Sequence, residues 1–376
     1  MIKNLLKNLF KKISYSFFLK FHGVISESIK STDDSRILEK TEKKNKNLIY
    51  KVYIILNGRL YTDRIQDISI ILDNKIIEEA SIQLRFRGDN NIINSNINDN
   101  IVFTKGTPRK LKKLKGTVLS LLTGGAGNRN YWHWLFDVLP RLELCKNFIK
   151  LNDIDFFLLP DQTQQFQIDT LNLLNIPLNK RISSKNFRHI KAKKLIVTEH
   201  PVMISGNATK DIENIPSWIS EWLKITFLNN SVTSNKKIKN KIYIDRSEKN
   251  ITQKPQRIIS NEKEIKKYLI KNNFIIIKLH EINFKEQVDL FYNADCVVGL
   301  HGGGFSNIVF CKPGTKIIEL KNLVPANAIK NLAIQNNLNY KKIEIKAEQI
   351  YEFEFPNQQG SIEVPVTKLS ELIESK

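Results

Sequence analysis

Residues 294–320 read ADCVVGLHGGGFSNIVFCKPGTKIIEL, and the fold turns on this stretch. A short apolar strand from Cys296 to Gly299 runs into three glycines, Gly302, Gly303 and Gly304. A helix start follows near Ser306 and Asn307, and a second apolar strand covers Lys316 to Leu320. Glycines after a strand let the backbone approach a ligand closely, and the helix beyond them offers unpaired N–H groups and a positive dipole end. Such a place suits a phosphate. His301 at the lip of the turn is placed to donate to an anionic oxygen, and Glu319 at the end of the next strand offers a carboxylate to a ribose hydroxyl pair. The plain alternative is a bare turn, with His301 as a helix cap and Glu319 in solvent.

Working outward, strands and helices alternate upstream of this stretch. Strand Lys241–Ile244 leads to Arg246 and then Arg257, Asn261 and Glu262 open a helix to Asn272, strand Phe274–Lys278 follows, and helix Phe284–Tyr292 returns to the glycine stretch. Alternation of this kind predicts a parallel sheet with ligands at the carboxyl ends of its strands, where an arginine such as Arg246 neutralises a diphosphate. A strand at Lys342–Ile345 and a helix near Val366–Glu374 that packs back complete this half. The Lys/Asn/Ser-rich run at 231–240 has no periodicity and reads as a linker, which sets domains at 47–235 and 236–376.

In the earlier half, residues 48–103 carry short β-like runs, and a buried strand, Gly116–Leu122, ends in the glycine-rich TGGAGNR of residues 123–129. An apolar helix then spans 130–145, NYWHWLFDVLPRLELC. Its polar exceptions, Asn130, His133, Asp137 and Arg141, recur at three- and four-residue spacing and share one face. A polar stripe on a buried helix must be satisfied internally or must face a cleft. His133 with Asp137 one turn on makes a general base with its orienting carboxylate, or either side chain takes a proton directly. The competing reading is an Asp137–Arg141 ion pair beside a satisfied core histidine. Strands at Asp155–Leu159 and Lys194–Val197 and helices at Gln162–Leu174 and Pro216–Leu228 continue an α/β domain.

Residues 2–18 place Ile2, Leu5, Leu6, Leu9, Phe10, Ile13 and Phe17 at helical spacing with Lys3, Lys7, Lys11 and Lys12 between them. This basic amphipathic helix either lies in an anionic membrane interface or docks its apolar face on the protein, and a polar, linker-like stretch, 27–46, follows it.

The net charge of +21 points to an anionic partner, but the lysines are scattered along the chain and no stretch interleaves Arg with aromatics as a nucleic-acid groove would, so nucleic acid is not expected. Hydrophobic residues make up 41% and charged residues 26%, which excludes a disordered or fibrous chain and fits two α/β domains. The three cysteines, Cys145, Cys296 and Cys311, sit on apolar segments as small hydrophobes of a reducing compartment. No metal-ligand spacing, bilayer-spanning apolar run or signal peptide is recognisable.

Two blocks of the sequence resemble glycosyltransferase family 61, whose members include capsular polysaccharide transferases. One is Asn130-Tyr-Trp-His133-Trp-Leu-Phe-Asp137-Val-Leu-Pro140-Arg141, similar to the family's Asn-x-x-His-x-x-x-Asp segment. The other runs from Tyr243-Ile-Asp-Arg246 through Arg257 and Asn261-Glu262 to His301-Gly-Gly-Gly-Phe-Ser-Asn307, Pro313-Gly314 and Ile318-Glu319-Leu320. Gly303, Phe305 and Ser306 depart from the family's usual His-Gly-Ala-Gly-Leu-Thr-Asn, and residues 1–110 resemble nothing that identifies an acceptor. The resemblance implies a GT-B-like α/β architecture, two Rossmann-like domains facing across a cleft, and an inverting, metal-independent transfer without a cofactor. The nucleotide-sugar donor would bind Arg246, His301, Gly302, Gly303, Gly304, Asn307 and Glu319. Asn130, Arg141, Arg257, Asn261 and Glu262 would support the site. Asp137 is preferred as the base that deprotonates a glycan or lipid-linked saccharide acceptor, with His133 positioning the acceptor or phosphate. Surface-polysaccharide synthesis at the inner face of the cytoplasmic membrane is the implied setting. The rivals are a metal-dependent GT-A transferase, for which Asp153-Ile-Asp155 is the only Asp-x-Asp considered, and a non-catalytic basic module binding nucleic acid or anionic lipid.

Overall fold

The computed structural model describes residues 2–64, 66–87, 90–104, 110–124, 129–228, 240–246, 257–323, 326–348 and 360–375. The chain forms two compact units, Met1–Ile212 and Glu213–Lys376. The linker expected at 231–240 lies, apart from Asn240, outside the described residues.

In the first unit, the described strands form one twelve-stranded mixed sheet. Strands Arg181–Ser183, Phe156–Leu159, Lys112–Ser120 and His189–Thr198 lie side by side and parallel. The long strand His189–Thr198 then pairs antiparallel with both Leu48–Leu56 and Arg59–Thr62, and the sheet continues antiparallel through Asp67–Leu72. The expected Rossmann-like first domain is therefore only parallel along one part of its sheet. Short connections, as between Arg59–Thr62 and Asp67–Leu72, join antiparallel pairs, whereas parallel neighbours need a longer crossover.

The stretch 27–46, expected as a linker, instead holds strands Glu27–Ile29 and Ile37–Asn45. The second of these pairs with Leu48–Leu56 alone, so most of its side chains face solvent and charged residues suit it. An edge strand and a linker have similar composition, which is why the pattern misled.

The second unit is built on five parallel strands in the spatial order Phe274–Ile277, Asn240–Ile244, Ala294–Leu300, Lys316–Asn322, Asn339–Ile345. In chain order this is 2-1-3-4-5, a doubly wound sheet whose connections reverse between Asn240–Ile244 and Ala294–Leu300. Helix Val366–Glu374 lays Leu369 into the same core as Ile265, Leu269 and Ile343. Helix Ser217–Leu228, which the sequence assigned to the first domain, also belongs here. Its Phe227 stacks edge-on to Phe284 at 4.9 Å and to Phe310 at 6.4 Å. Periodicity showed that this helix has an apolar face, but not which core receives it. After the glycines the chain forms a 3₁₀ helix, Gly303–Phe310, rather than an α-helix from Ser306. Its tight turns bury Phe305, Ile308, Val309 and Phe310 together.

Candidate active site

At the strand reversal of the second unit, Asn240–Ile244 runs out into Asp245 and Arg246, and Ala294–Leu300 runs out into His301 and Gly302. The backbone N–H of His301 donates to Leu320 O at 2.8 Å, and Arg246 Nη1 donates to His301 O. A Cβ on Gly302 would lie 2.8 Å from Arg246 Nη1, so the glycine leaves room for the guanidinium against the turn. A Cβ on Gly304 would lie 2.9 Å from Leu279 Cδ1, so that glycine packs the turn onto the sheet. Gly303 opens the 3₁₀ helix between them.

His301 Nδ1 is hydrogen-bonded to Glu319 Oε1, and the Tyr340 hydroxyl donates to Glu319 Oε2. Glu319 is 1% exposed and sits within strand Lys316–Asn322, not at its end. With both oxygens engaged, it holds the imidazole in place instead of offering itself to a ribose. A carboxylate on Nδ1 fixes the proton there, leaving the lone pair on Nε2 in the neutral ring. Burial pushes the His301 pKa down, opposed by the Glu319 hydrogen bond. Burial likewise brings Arg257 down to about 10, helped by nearby Arg246 and opposed by Glu319, which puts both arginines and the carboxylate in one electrostatic neighbourhood. Lys321, 3.7 Å from Glu344, adds a further buried positive charge that also lowers His301.

The other predicted residues of this unit lie elsewhere. Asn307 is fully buried, and its amide donates to Gln287 Oε1 at 2.9 Å. Asn261 clamps Val364, donating to its carbonyl at 2.8 Å and accepting from its N–H at 3.0 Å. Glu262 accepts from Tyr243 Oη at 3.0 Å and pairs with Lys266 at 3.3 Å. These three tie elements of the fold together.

In the first unit, the carboxyl end of strand Lys112–Ser120 leads through Gly124 to the polar-striped helix. Gly124 has φ +66°, and a Cβ there would lie 2.6 Å from Ile82 Cγ2, so the turn requires glycine. Residues 125–128 of the glycine-rich segment lie outside the described residues. Asn130 caps the helix, accepting from Trp132 N at 2.9 Å. The helix is not uniform: Trp134–Val138 is a π turn, in which Leu139 N reaches back to Trp134 O at 3.1 Å. Pro140 explains it, since proline has no N–H for Phe136 O and its ring would clash with that carbonyl in a regular helix.

The π turn carries Asp137, which is 2% exposed. Its Oδ2 lies 2.6 Å from His133 Nδ1 and 3.8 Å from His200 Nε2. Burial alone would raise the Asp137 pKa, but the charge and hydrogen bond of His133, with His200 and Arg141, outweigh it and hold the carboxyl below its usual range. Arg141 does not form the alternative ion pair. Its Nε donates to Asp137 O at 3.1 Å and its Nη1 to Thr198 O and Oγ1 at 3.0 Å each. It thereby fastens the helix to the end of strand His189–Thr198. His200 accepts at Nδ1 from Val202 N and Met203 N at 3.2 and 2.8 Å, so its proton sits on Nε2, facing Asp137. Burial lowers the His200 pKa to about 3 and keeps it neutral. The side chain of His133 remains 13% exposed, and its Nε2 has no partner among the described residues.

No local sequence pattern singles out His200, Tyr340 or Lys321. His200 follows a parallel strand, and only the rule that ligands gather at strand carboxyl ends flags it. Tyr340 reaches Glu319 from a neighbouring strand, which no local pattern reveals.

Both clusters, apart from Glu319, Lys321, Tyr340 and the cap Asn130, fall in residues 131–318, half of the chain, which match the family model Glycosyltransferase 61. No curated protein matches the chain.

Proposed function

Because the chain belongs to the glycosyltransferase 61 family, it is a glycosyltransferase with a donor and an acceptor substrate, and we propose that its donor is a nucleotide-sugar held by the second unit. The observation that carries this reading is the cluster of side chains at the strand reversal. There Arg246 and Arg257 gather positive charge beside the neutral His301 and glycines that allow a diphosphate to approach the backbone.

In the proposed reaction, an acceptor hydroxyl on a glycan or lipid-linked saccharide gives its proton to His133 Nε2. The oxygen then attacks the anomeric carbon from the face opposite the leaving group. The bond to the nucleotide diphosphate breaks, with inversion, and Arg246, Arg257 and the N–H groups of the turn meet the departing charge. Asp137 holds the His133 tautomer and stabilises the imidazolium. The sequence favoured Asp137 as base, but its burial and its bond to Nδ1 favour the reverse assignment. The GT-B architecture is part of this proposal, with the donor on one unit and the base on the other. The setting we propose is surface-polysaccharide synthesis.

The rival Asp153-Ile-Asp155 site gains no support. Asp155, exposed in the bend before strand Phe156–Leu159, already engages its Oδ2, which accepts from Thr117 N at 2.7 Å. We expect turnover to survive a chelator, and its loss with restoration by manganese would reinstate that rival.

Screening UDP-, GDP-, CMP- and dTDP-sugars for thermal stabilisation identifies the donor nucleotide. Arg246→Ala and His301→Ala should each remove most of the shift. His133→Gln should keep the shift and lower kcat by about 10²–10⁴-fold. A His133→Gln enzyme with full turnover would overturn the base assignment, and stabilisation unaffected by Arg246→Ala would overturn the donor site.

A further inference from the structure

Helix Ile2–His22 carries two separate apolar faces, and among the described residues only one of them is buried against the protein. Phe18, 1% exposed, and Ser14, 6% exposed, dock it onto Ile25, Tyr61, Ile71, Ile76 and Val102, with Tyr15 and Leu19 packed alongside. At His22 the ring stands edge-on to His189, 4.6 Å between centroids, which fixes the end of the docked face. The other face is the stripe of Leu5, Leu6, Leu9, Phe10, Ile13 and Phe17, and these residues are 48–71% exposed. Helical spacing turns this stripe away from Phe18, so the docking that secures the helix leaves the stripe uncovered.

Beside the stripe, Phe10, Ile13, Phe17 and Leu111 line an open groove of about 660 Å³ with Lys110 and Lys113 on its rim. The helix itself has Lys3, Lys7, Lys11, Lys12 and Lys20 and no acidic residue. Among the described residues, no helix is long and apolar enough to cross a membrane.

We propose that this face is a docking surface for an anionic lipid bilayer, with the helix lying in the plane of the interface. The apolar stripe enters the acyl boundary, the groove takes lipid chain ends, and the lysines at its margins meet phosphate headgroups. Charge complementarity selects this occupant over a second copy of the chain. Two such faces in contact would bring like-charged lysines together within a Debye length, whereas an anionic surface neutralises them. The proposal stands apart from the transfer chemistry and is tested without it.

The test is flotation of the full chain with phosphatidylcholine vesicles, with and without phosphatidylglycerol, together with sedimentation velocity in the absence of lipid. Flotation is expected with the phosphatidylglycerol vesicles and to weaken as salt rises. Replacing Lys3, Lys7, Lys11 and Lys12 by Gln should reduce partitioning by about fivefold per lysine, and Leu6→Asp with Phe10→Asp should abolish it. Because all six side chains are exposed, circular dichroism and melting temperature should match the parent chain. Equal binding to neutral vesicles, no binding to either, or binding indifferent to these substitutions would overturn the proposal. So would a lipid-free dimer that Leu6→Asp with Phe10→Asp dissociates, which would make a second copy the occupant.

Discussion

His301 and His200 are both histidines whose charge is set by what the fold places around them. His301 has Glu319 on Nδ1, and burial keeps its pKa below the ordinary value. For Nε2 to donate to a phosphate, the ring must take up a proton when the diphosphate arrives. Donor nucleotide should therefore bind more tightly as pH falls toward the ordinary histidine range. Titration calorimetry in buffers of different ionisation enthalpy should register net proton uptake that His301→Gln removes. Uptake unchanged in that variant would assign the proton elsewhere. His200 bears on stability. Its folded pKa of about 3 lies below the unfolded 6.5, so the unfolded chain binds the extra proton in that window. Its contribution is fully present above pH 6.5 and is lost as pH falls toward about 3, at up to about 1.4 kcal/mol per pH unit. His200→Gln keeps an acceptor for the Val202 and Met203 N–H groups and does not titrate, so its melting temperature should fall less steeply between those pH values. Equal slopes for the two proteins would remove His200 from the account of acid sensitivity.

Two elements place these side chains, and each departs from regular geometry for a nameable reason. Pro140 forces the π turn that carries Asp137, and the stripe predicted from three- and four-residue spacing survives because His133 and Asp137 still meet across it at 2.6 Å. In the second unit, Gly302 gives way to the Arg246 guanidinium. Gly302→Ala is expected to displace that side chain at small cost to the fold, because a guanidinium on a flexible stem moves easily. Donor affinity should then fall by about tenfold, near 1.4 kcal/mol, with an unchanged melting temperature in the absence of nucleotide. Undiminished affinity would show that Arg246 does not need its present position. Gly124 is a different case. Its φ of +66° and the nearby Ile82 make Gly124→Ala a strain on the backbone itself, so that substitution should lower stability by about 1–3 kcal/mol in denaturant unfolding.

For the whole molecule, two units with separate cores predict separable responses to ligand. Hydrogen exchange with saturating donor nucleotide should slow amides around residues 240–246 and 294–322 while leaving the core strands of Met1–Ile212 unchanged. Protection confined to the first unit would refute donor binding at the strand reversal. The sequence by itself determined the parallel alternation of the second unit, the glycine turn with His301 and Arg246 at strand ends, and the polar stripe of His133, Asp137 and Arg141. These are legible because strand ends, turns and helix faces are local patterns of fixed period. Only the tertiary structure decided that Glu319 orients His301 with help from Tyr340, that Asn261, Glu262 and Asn307 are internal ties, and that His200 faces Asp137. It also decided that helix Ser217–Leu228 joins the second core, and that the stretch 27–46 is an edge strand system. Each of these depends on which distant segment covers a given face, and a face's periodicity is the same whatever covers it.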